Sequence, residues 1–284
     1  MSRITVEQYA VGVLGFSLIR NWYRSADNNE DRVRQIREVL DHADQFPWNI
    51  ELDPQEQDLL GGYAEWSQFY DGPNPLIKTE TAVSQPVLRR LAGDATKILD
   101  AACGTGRHAA FLHPLGCEVV GIDQSREMLD VARTKLPAVR FELGSLEHMP
   151  FDDDEFDLAV VSLALCHLDN PTAALTELAR VVRTGGHVVV TDPHPAGEIV
   201  GGQAFYGGIV DGQPMHWVRN RYHSASTWLR SFNAAGLTVE ACVEEPFSDE
   251  QIAAFPVSIF YPDATLEALS GLPTLWLWEL LVSG

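Results

Sequence analysis

The chain has 284 residues, of which 45% are hydrophobic, and its 20 Lys and Arg residues against 40 Asp and Glu residues give a formal charge of -20. This length and apolar content suffice for one large α/β domain, or for a core with a subdomain. The shortage of cations argues against a nucleic acid or an anionic membrane as a partner. The simplest explanation of the acidic composition is that it keeps the protein soluble.

The cysteines and the N-terminus indicate the compartment. Cys103, Cys117, Cys166 and Cys242 show no paired or regular spacing, which suits buried free thiols in a reducing environment. The apolar segment 9–19 is too short to span a bilayer. The sequence also shows no basic start followed by a cleavage site of small residues, the pattern of a signal peptide. We therefore expect a cytoplasmic protein.

The first part of the chain is predicted to be helical. Apolar periodicity predicts helices at 5–23 and 27–45, a short one at 54–60 that ends at Gly61 and Gly62, and a longer one at 76–91. Residues 1–75 are predicted to be a helical extension that caps the site or supports a homodimer. Residues 76–284 are the predicted core.

Strands and helices alternate through the core. Strands are predicted at 97–102, 118–122, 139–143, 156–165, 187–191, 237–243 and 273–281, and helices at 107–114, 126–135, 172–182, 226–235 and 266–269. Such alternation predicts an α/β fold with a parallel sheet, helices on both faces, and ligands at the carboxyl ends of the strands.

The first two core strands frame a nucleoside site. Gly104 and Gly106 form a tight turn after the first strand, and the second strand ends at Asp123. A carboxylate in that place can accept hydrogen bonds from both hydroxyls of a ribose.

The glycine spacing does not identify the nucleoside. Residues 104–109 also satisfy the dinucleotide pattern G-x-G-x-x-G/A, so an NAD-dependent oxidoreductase is an alternative. Asp100, at the end of the first strand, would repel a pyrophosphate, whereas the ammonium group of a methionine would suit it.

Residues 100–106, Asp-Ala-Ala-Cys-Gly-Thr-Gly, resemble the first motif of the class I S-adenosylmethionine-dependent methyltransferases. The resemblance implies a Rossmann-like, seven-stranded, mostly parallel sheet whose last strand is antiparallel at the edge. It implies S-adenosyl-L-methionine as cofactor and S-adenosyl-L-homocysteine as product. Ala102 stands where glycine is more usual, and is tolerable there if its φ is negative.

Other segments extend the resemblance. Residues 62–71 are similar to the Tyr-x-x-Trp-x-x-x-Tyr-Asp segment that leads into many small-molecule methyltransferases, which implies that Tyr63 and Tyr70 close over the cofactor; Trp66 is read as packing. Adenine contacts implied by the family are Gln124, Met128, Leu146 and Ser145, although Ser145 replaces the usual acid. The implied cofactor-binding set is Tyr63, Tyr70, Asp100, Ala102, Gly104, Gly106, Asp123, Gln124, Met128, Ser145, Leu146 and Ser162.

The segment 162–167 indicates the class of acceptor. It lacks the Asn/Asp-Pro-Pro-aromatic signature of enzymes that methylate adenine bases or amide nitrogens. The insertion 196–222, which is rich in glycine and aromatic residues, is long enough for a substrate lid. Residues 100–109 and 192–195 resemble segments of bacterial methyltransferases of secondary metabolites, including indole C3-methyltransferases. The aromatic residues of the lid suit a flat aromatic acceptor.

Methyl transfer to O, N or indole nucleophiles uses a base, and histidine suits that task at neutral pH. His167, His194 and His223 are the predicted catalytic histidines, with Tyr70 beside them and His216 as a weaker candidate. An alternative is a metal site formed by the Asp192 carboxylate and the imidazoles of His194 and His167. Methyl transfer needs no metal ion, and we predict no metal site.

A third hypothesis keeps the fold and the cofactor without the transfer. A methyltransferase-like cyclase or accessory protein would explain Ala102 and Ser145, the two departures from the family pattern.

Overall fold

Apolar segments bounded by turns form the strands of this protein, and amphipathic segments form helices. The structure is a computed structural model, and it describes residues 4–207 and 214–284. The strands are β1 (Ile4–Thr5), β2 (Glu51–Leu52), β3 (Gln55–Gln57), β4 (Lys97–Ala101), β5 (Glu118–Asp123), β6 (Arg140–Leu143), β7 (Phe156–Ser162), β8 (Val182–Pro193), β9 (Ala204–Tyr206), β10 (His216–Val218), β11 (Leu237–Pro246) and β12 (Pro273–Val282). The helices are α1 (Val6–Asn21), α2 (Ala26–Asp41), α3 (Leu59–Trp66), α4 (Pro75–Ala92), α5 (Arg107–Leu112), α6 (Arg126–Lys135), α7 (Thr172–Val181), α8 (Ala196–Ile199), α9 (Ala225–Ala234), α10 (Asp249–Ala253) and α11 (Pro262–Leu269).

The central sheet has seven strands in the order β11-β12-β8-β7-β4-β5-β6. The five strands from β8 to β6 are parallel, and β12 is antiparallel to β8. The predicted fold class is confirmed. The predicted place of the last strand is wrong in one respect, because β12 lies between β8 and β11 and is almost wholly buried, whereas the partly exposed β11 forms the edge.

Side-chain alternation along the parallel strands builds two cores, one on each face of the sheet. Leu99, Val120, Val161 and Val190 belong to one core, together with apolar residues of α7 and α9. Their neighbours Ile98, Val119, Val160 and Val189 belong to the other core, together with residues of α4 and α5. The alternation explains why these strands are apolar at nearly every position.

The strand register brings the carboxyl ends of β4, β5, β7 and β8 to one edge of the sheet. Asp100 pairs with Gly121 on one side and with Val160 on the other, and Ser162 pairs with Thr191. Loops that leave these ends therefore meet in one place, as the strand–helix alternation predicts.

The predicted helix at 54–60 is wrong. Residues 55–57 form β3, in one sheet with β10 and β9, and α3 begins only at Leu59, where the Asp58 carboxylate accepts a hydrogen bond from Gly61 N at 2.9 Å. Gly61 and Gly62 lie inside the helix rather than ending it. A Cβ on Gly62 would lie 2.5 Å from Val218 Cγ2, so close packing, and not helix termination, requires this glycine.

The chain divides into two compact units. One contains Met1–Gln55, Gly207–Met215 and Pro246–Leu272, and the other Glu56–Tyr206, His216–Glu245 and Pro273–Gly284. The division into a helical extension of residues 1–75 and a core of residues 76–284 stays a prediction; the bounds of the two compact units differ from it. None of the helices in the described ranges is long and apolar enough to cross a membrane.

Within the first unit, α1 packs against α2 and α11 around one carboxylate. Glu267 Oε2 accepts hydrogen bonds from Ser17 Oγ at 2.8 Å and from Arg32 Nε at 3.1 Å. Arg20 Nη1 donates to the carbonyl of Ala268 at 2.6 Å. The predicted helices at 5–23 and 27–45 are confirmed as α1 and α2, with earlier ends.

Candidate active site

A cleft opens at the carboxyl ends of β4, β5, β6 and β7. It encloses about 840 Å³ of empty space, part of which is open to solvent. Its lining residues come from α3 and the segment after it, from the last residues of β5 and β7, from the first turn of α6, and from the loops that leave the strands. They are Leu59, Leu60, Tyr63, Tyr70, Ala102, Gly104, Ile122, Asp123, Gln124, Ser125, Met128, Gly144, Ser145, Leu146, Glu147, Ser162, Leu163, Ala164, His167 and Leu168. The predicted cofactor-binding residues all lie in this lining except Asp100 and Gly106. A concave cleft that is lined by apolar and aromatic side chains with a few polar groups is typical of small-molecule and cofactor sites.

The turn after β4 has a left-handed backbone at three positions. The φ angles are +53° at Ala102, +53° at Gly104 and +80° at Gly106. The expectation of a negative φ at Ala102 is therefore wrong, and an alanine in this conformation costs about 1–2 kcal/mol relative to the right-handed region. Leu163, which follows β7, has a φ of +54° and also lines the cleft. Of the three non-glycine residues with a positive φ in the described ranges, Ala102 and Leu163 thus line the cleft and Asp154 does not. Strained backbone is common at binding sites.

The two motif glycines do different work. A Cβ on Gly104 would meet no atom within 4 Å, so this residue leaves open space in the cleft. A Cβ on Gly106 would lie 3.2 Å from both Leu136 Cδ1 and Phe141 Cζ. Gly106 therefore allows α5 to start close to its neighbours and does not itself face the cleft.

Asp123 is held by the backbone on both oxygens. Its Oδ2 accepts from Gly104 N and its Oδ1 from Ser125 N, each at 2.8 Å. Burial raises the pKa of this carboxyl, and the backbone N–H groups partly oppose that rise. Because a carboxylate oxygen can accept more than one hydrogen bond, both oxygens keep capacity for a ligand.

Asp100 has a structural position instead. The residue is 2% exposed, and its Oδ2 accepts a hydrogen bond from Ala109 N, in the first turn of α5, at 2.8 Å. Burial raises its pKa. The structure does not bring this residue to the cleft wall.

The wall beyond Asp123 is mostly apolar and carries one displaced acid. Met128 is buried to 1% exposure and Leu146 is half-buried. Ser145 Oγ accepts from the backbone N–H of Glu147 at 3.2 Å, and Glu147, two residues further along the chain, belongs to the cleft lining. An acid is therefore present on this wall, although not at position 145.

Tyr63, Tyr70 and His167 line the other part of the cleft. Tyr63 Oη lies 2.7 Å from Nε2 of His167, and the two rings meet edge to face at 5.3 Å. Tyr70 packs at 6.2 Å from Tyr63, and burial raises the pKa of Tyr70 to about 12. Trp66 is buried and stacks on Tyr206 at 5.2 Å, which agrees with its predicted packing role.

The other predicted histidines point elsewhere. Nε2 of His194 bonds to Glu244 Oε1 at 3.1 Å and its Nδ1 accepts from Ala196 N, while Nε2 of His223 bonds to the Leu165 carbonyl at 3.2 Å. Burial lowers the pKa of both histidines. Neither lines the cleft, nor does His216, whose Nδ1 lies 2.9 Å from Nε2 of Gln57.

The lid insertion is described only in part. Residues 208–213, including Gly208, lie outside the described ranges. On either side of them β9 and β10 pair antiparallel, with Trp217 opposite Phe205. Further along the insertion, Tyr222 Oη donates to the carbonyl of Gly202 at 2.6 Å.

A buried polar network beside the cleft was not predicted. Glu80 of α4 is fully buried, forms an ion pair with Arg107, and lies 3.3 Å from Nε2 of His108. Its Oε1 also accepts hydrogen bonds from Ser162 Oγ at 3.1 Å and Thr191 Oγ1 at 3.0 Å. Burial opposes ionisation of Glu80, but His108 and Arg107 outweigh it and hold the pKa below its ordinary value. One signal was available, since Glu80 interrupts the apolar face of the helix predicted at 76–91.

In the described ranges, the one group of side chains that could hold a metal ion does not line the cleft. His187, Glu240 and Glu279 have ligand atoms within 4.8 Å of one another. Arg90 Nη2 already pairs with Glu279 Oε2 at 2.5 Å. The guanidinium thus already balances a carboxylate that a metal would need.

Comparisons with known proteins agree with this geometry. Residues 99–190 match the family described as the methyltransferase domain. A demethylmenaquinone methyltransferase of Clavibacter sepedonicus is 34% identical over 138 residues, which are 46% of this chain and 56% of the relative. The methyltransferase GfsG of Streptomyces halstedii is 32% identical over 127 residues, 42% of this chain and 46% of the relative. The chain thus spans about half the length of these curated relatives.

A solved structure extends the likeness beyond residues 99–190. An S-adenosylmethionine-dependent methyltransferase from Mesorhizobium loti superposes with a TM-score of 0.53 at 24% identity, and the match covers 72% of this chain and 99% of that one. Over residues 99–190 the chain therefore matches the methyltransferase domain family, and over 72% of its length its fold is similar to that of the Mesorhizobium loti protein.

Proposed function

We propose that this protein transfers a methyl group from S-adenosylmethionine to a small-molecule acceptor. The observation that carries the proposal is Asp123, whose carboxylate lies at the cleft beside the glycine turn, inside the segment that matches the methyltransferase domain. A carboxylate fixed by two backbone N–H groups is suited to a pair of ribose hydroxyls.

The cleft residues fit the rest of the cofactor. Open space over Gly104 suits the close approach of a ligand to the backbone, and Ile122, Met128 and Leu146 offer apolar contacts to an adenine ring. Glu147 is in the lining and supplies an acceptor for the adenine amino group, the role that the family resemblance assigns to an acid at position 145. When bound, the cofactor supplies an electrophilic methyl group on a sulfonium.

The charges of the cleft favour this cofactor over NAD. Among the described residues that line it there is no Lys or Arg, whereas Asp123 and Glu147 are acidic. A dinucleotide would bring two further negative charges without a cation to balance them. The positive charge of a sulfonium is compatible with the same surroundings.

The acceptor we propose is a neutral, flat aromatic molecule, such as an indole or phenolic intermediate of a natural product, methylated at carbon. Tyr63, Tyr70, His167 and Leu168 give this part of the cleft aromatic and apolar walls. The absence of cations from the described lining disfavours phosphorylated acceptors. Two relatives are named as methyltransferases, one of them for demethylmenaquinone.

Calorimetric titration with S-adenosylhomocysteine, with NAD in a parallel cell, tests the cofactor. We expect micromolar binding of the first and none of the second. Asp123→Ala is expected to abolish binding without unfolding the protein, whereas Asp152→Asn, an exposed acid in the turn before β7, should bind like the parent chain. Binding of NAD alone, or unchanged affinity in the Asp123 variant, would contradict the proposal.

An acceptor panel tests the reaction itself. Indoles, naphthols and quinols are incubated with labelled S-adenosylmethionine, and release of S-adenosylhomocysteine is followed with mass spectrometry of the product. Cofactor binding without any release across the panel would favour the cyclase or accessory hypothesis.

A further inference from the structure

Both ring nitrogens of His167 are already engaged. Nδ1 lies 3.0 Å from the backbone carbonyl of Arg219, and Nε2 lies 2.7 Å from Tyr63 Oη. A carbonyl oxygen can only accept, so Nδ1 must carry the hydrogen. In the neutral ring Nε2 is then the acceptor, and the Tyr63 hydroxyl donates to it.

This arrangement leaves His167 without a nitrogen for a substrate. Tyr63 is different, because its hydroxyl donates its only hydrogen to Nε2 and keeps oxygen lone pairs that can accept a hydrogen bond from a substrate. Tyr63 and His167 both line the cleft. A proton that leaves a bound acceptor can therefore reach the imidazole through the phenol oxygen.

Neither residue suffices alone. Burial raises the pKa of Tyr63 well above its ordinary value, with nearby Tyr70 and Cys166 acting in the same direction, so a free phenolate is not accessible at neutral pH. Burial lowers the pKa of His167, so the imidazole is neutral and ready to take a proton. Tyr63 can give up its hydrogen only as it receives another.

We propose that Tyr63 and His167 form a proton relay, and that the acceptor is a planar aromatic molecule with a hydroxyl or a ring N–H that donates to Tyr63 Oη. The relay rests on the proposed function and deepens it, because it replaces a histidine base with a tyrosine that touches the acceptor. His167 then acts through Tyr63, and the Arg219 carbonyl fixes its tautomer.

The step balances in atoms and charge. The acceptor proton moves to Tyr63 Oη while the phenolic proton moves to Nε2 of His167. The electron pair left on the acceptor forms the new bond to the methyl carbon, directly or through conjugation to a ring carbon, and the pair of the broken carbon–sulfur bond stays on sulfur. One positive charge is thereby lost from the sulfonium and one appears on the imidazolium, so the net charge of the cleft is unchanged.

The first test needs neither cofactor nor activity. The full chain is labelled with ¹⁵N-histidine, and the His167 signals are assigned by their loss in His167→Gln. We expect a neutral ring with the hydrogen on Nδ1 at pH 7.5, and a changed Nε2 shift in Tyr63→Phe because its hydrogen-bond donor is gone. A hydrogen on Nε2, or an Nε2 shift that ignores the Tyr63 variant, would overturn the relay.

The second test separates proton transfer from binding. Tyr63→Phe and His167→Gln are each expected to lower kcat about 10²- to 10⁴-fold, the usual contribution of a general base. The Kd for S-adenosylhomocysteine should change less than about threefold. Tyr261→Phe and His187→Gln, at positions that do not line the cleft, are the matched controls for the two residue types.

The third test uses acceptors that need no base. With a phenol acidic enough to be ionised at the assay pH, both variants should recover most of the lost rate; an equal loss with neutral and ionised acceptors would mean a structural role only. If the parent chain binds no S-adenosylhomocysteine, the proposed function fails and the relay with it. If the parent chain turns over but Tyr63→Phe keeps its kcat, the relay alone fails.

Discussion

The carboxylate of Asp100 accepts a hydrogen bond from the backbone N–H of Ala109 at 2.8 Å, across the turn that joins β4 to α5. The turn between these residues carries Ala102 and Gly104, two of the residues that line the cleft. The acid that first suggested the identity of the cofactor therefore acts on the shape of the turn, not on the cleft surface.

Replacing Asp100 should loosen this turn. Asp100→Ala leaves the Ala109 N–H buried without a partner, which we expect to cost about 1–3 kcal/mol in the free energy of unfolding. Asp100→Asn keeps an acceptor oxygen and should cost less. Urea unfolding measures both, and titration with S-adenosylhomocysteine should show weaker binding in the same order. The exposed Asp94→Ala is the control, and equal losses in the Asp94 and Asp100 variants would contradict the prediction.

Ala102 and Gly104 provide a test of backbone strain with opposite signs. Both have a φ of +53°. Ala102→Gly should relieve the left-handed strain and stabilise the chain by up to about 1 kcal/mol, whereas Gly104→Ala should introduce the same strain and destabilise it by about 1–2 kcal/mol. Thermal unfolding compares the two variants directly.

Affinity gives the pair an independent readout. A Cβ on Gly104 meets no protein atom within 4 Å, so any loss of S-adenosylhomocysteine binding in Gly104→Ala beyond the loss in stability reflects contact with the ligand. Ala102→Gly should leave affinity nearly unchanged. Stability changes of the same sign in both variants would show that strain does not determine them.

Local patterns predicted the elements that depend on local sequence. The glycine turn and Asp123 belong to one strand–turn–helix–strand unit, so spacing alone brings them together, and the structure shows a hydrogen bond between Asp123 and Gly104 N. The sheet was also predictable from the sequence, because the alternation of apolar strands with helices is a local pattern. The sign of φ at Ala102 was not predictable in this way, because the turn geometry overrides the preference of alanine.

Contacts between distant segments were beyond the sequence. Tyr63 and His167 are 104 positions apart, and Glu80 and Arg107 are 27 apart, so each pairing depends on how a helix docks on the sheet. His194 and His223 show the converse. A histidine in a loop can turn towards a cleft or towards backbone and acidic partners, and its spacing does not distinguish these outcomes.

Glu80 should be among the most sensitive positions for stability. Glu80→Ala leaves Arg107 and His108 without their buried partner, and breaking a buried ion pair in this way costs about 3–5 kcal/mol. Glu80→Gln keeps the shape and should lose less. Glu118→Ala removes an exposed partner of Lys97 and should cost less than about 1 kcal/mol.

Urea unfolding of these three variants measures the role of the buried network. From least to most stable, we expect the order Glu80→Ala, Glu80→Gln, Glu118→Ala. A loss in Glu80→Ala no larger than the loss in Glu118→Ala would contradict the role of the network.

The last prediction concerns pH. His223 is 7% exposed, faces the Leu165 carbonyl, the Trp228 ring and the charge of Asp169, and burial lowers its pKa. Below the unfolded pKa of about 6.5 the unfolded chain takes up a proton that the folded chain resists, so the parent chain loses stability as pH falls, by up to about 1.4 kcal/mol per pH unit until the lower folded pKa is reached. His223→Gln cannot take up this proton.

Comparing the two chains isolates the histidine from every other titrating group. At pH 8 the difference in unfolding free energy reports only the change in packing and hydrogen bonding. As pH falls below about 6.5 we expect the parent chain to lose stability relative to His223→Gln, because only the parent gains a proton on unfolding. Urea unfolding at intervals of half a pH unit measures the difference. A difference that stays constant across this range would mean that His223 has the same pKa in the folded and unfolded chains, and burial would then have no effect on its charge.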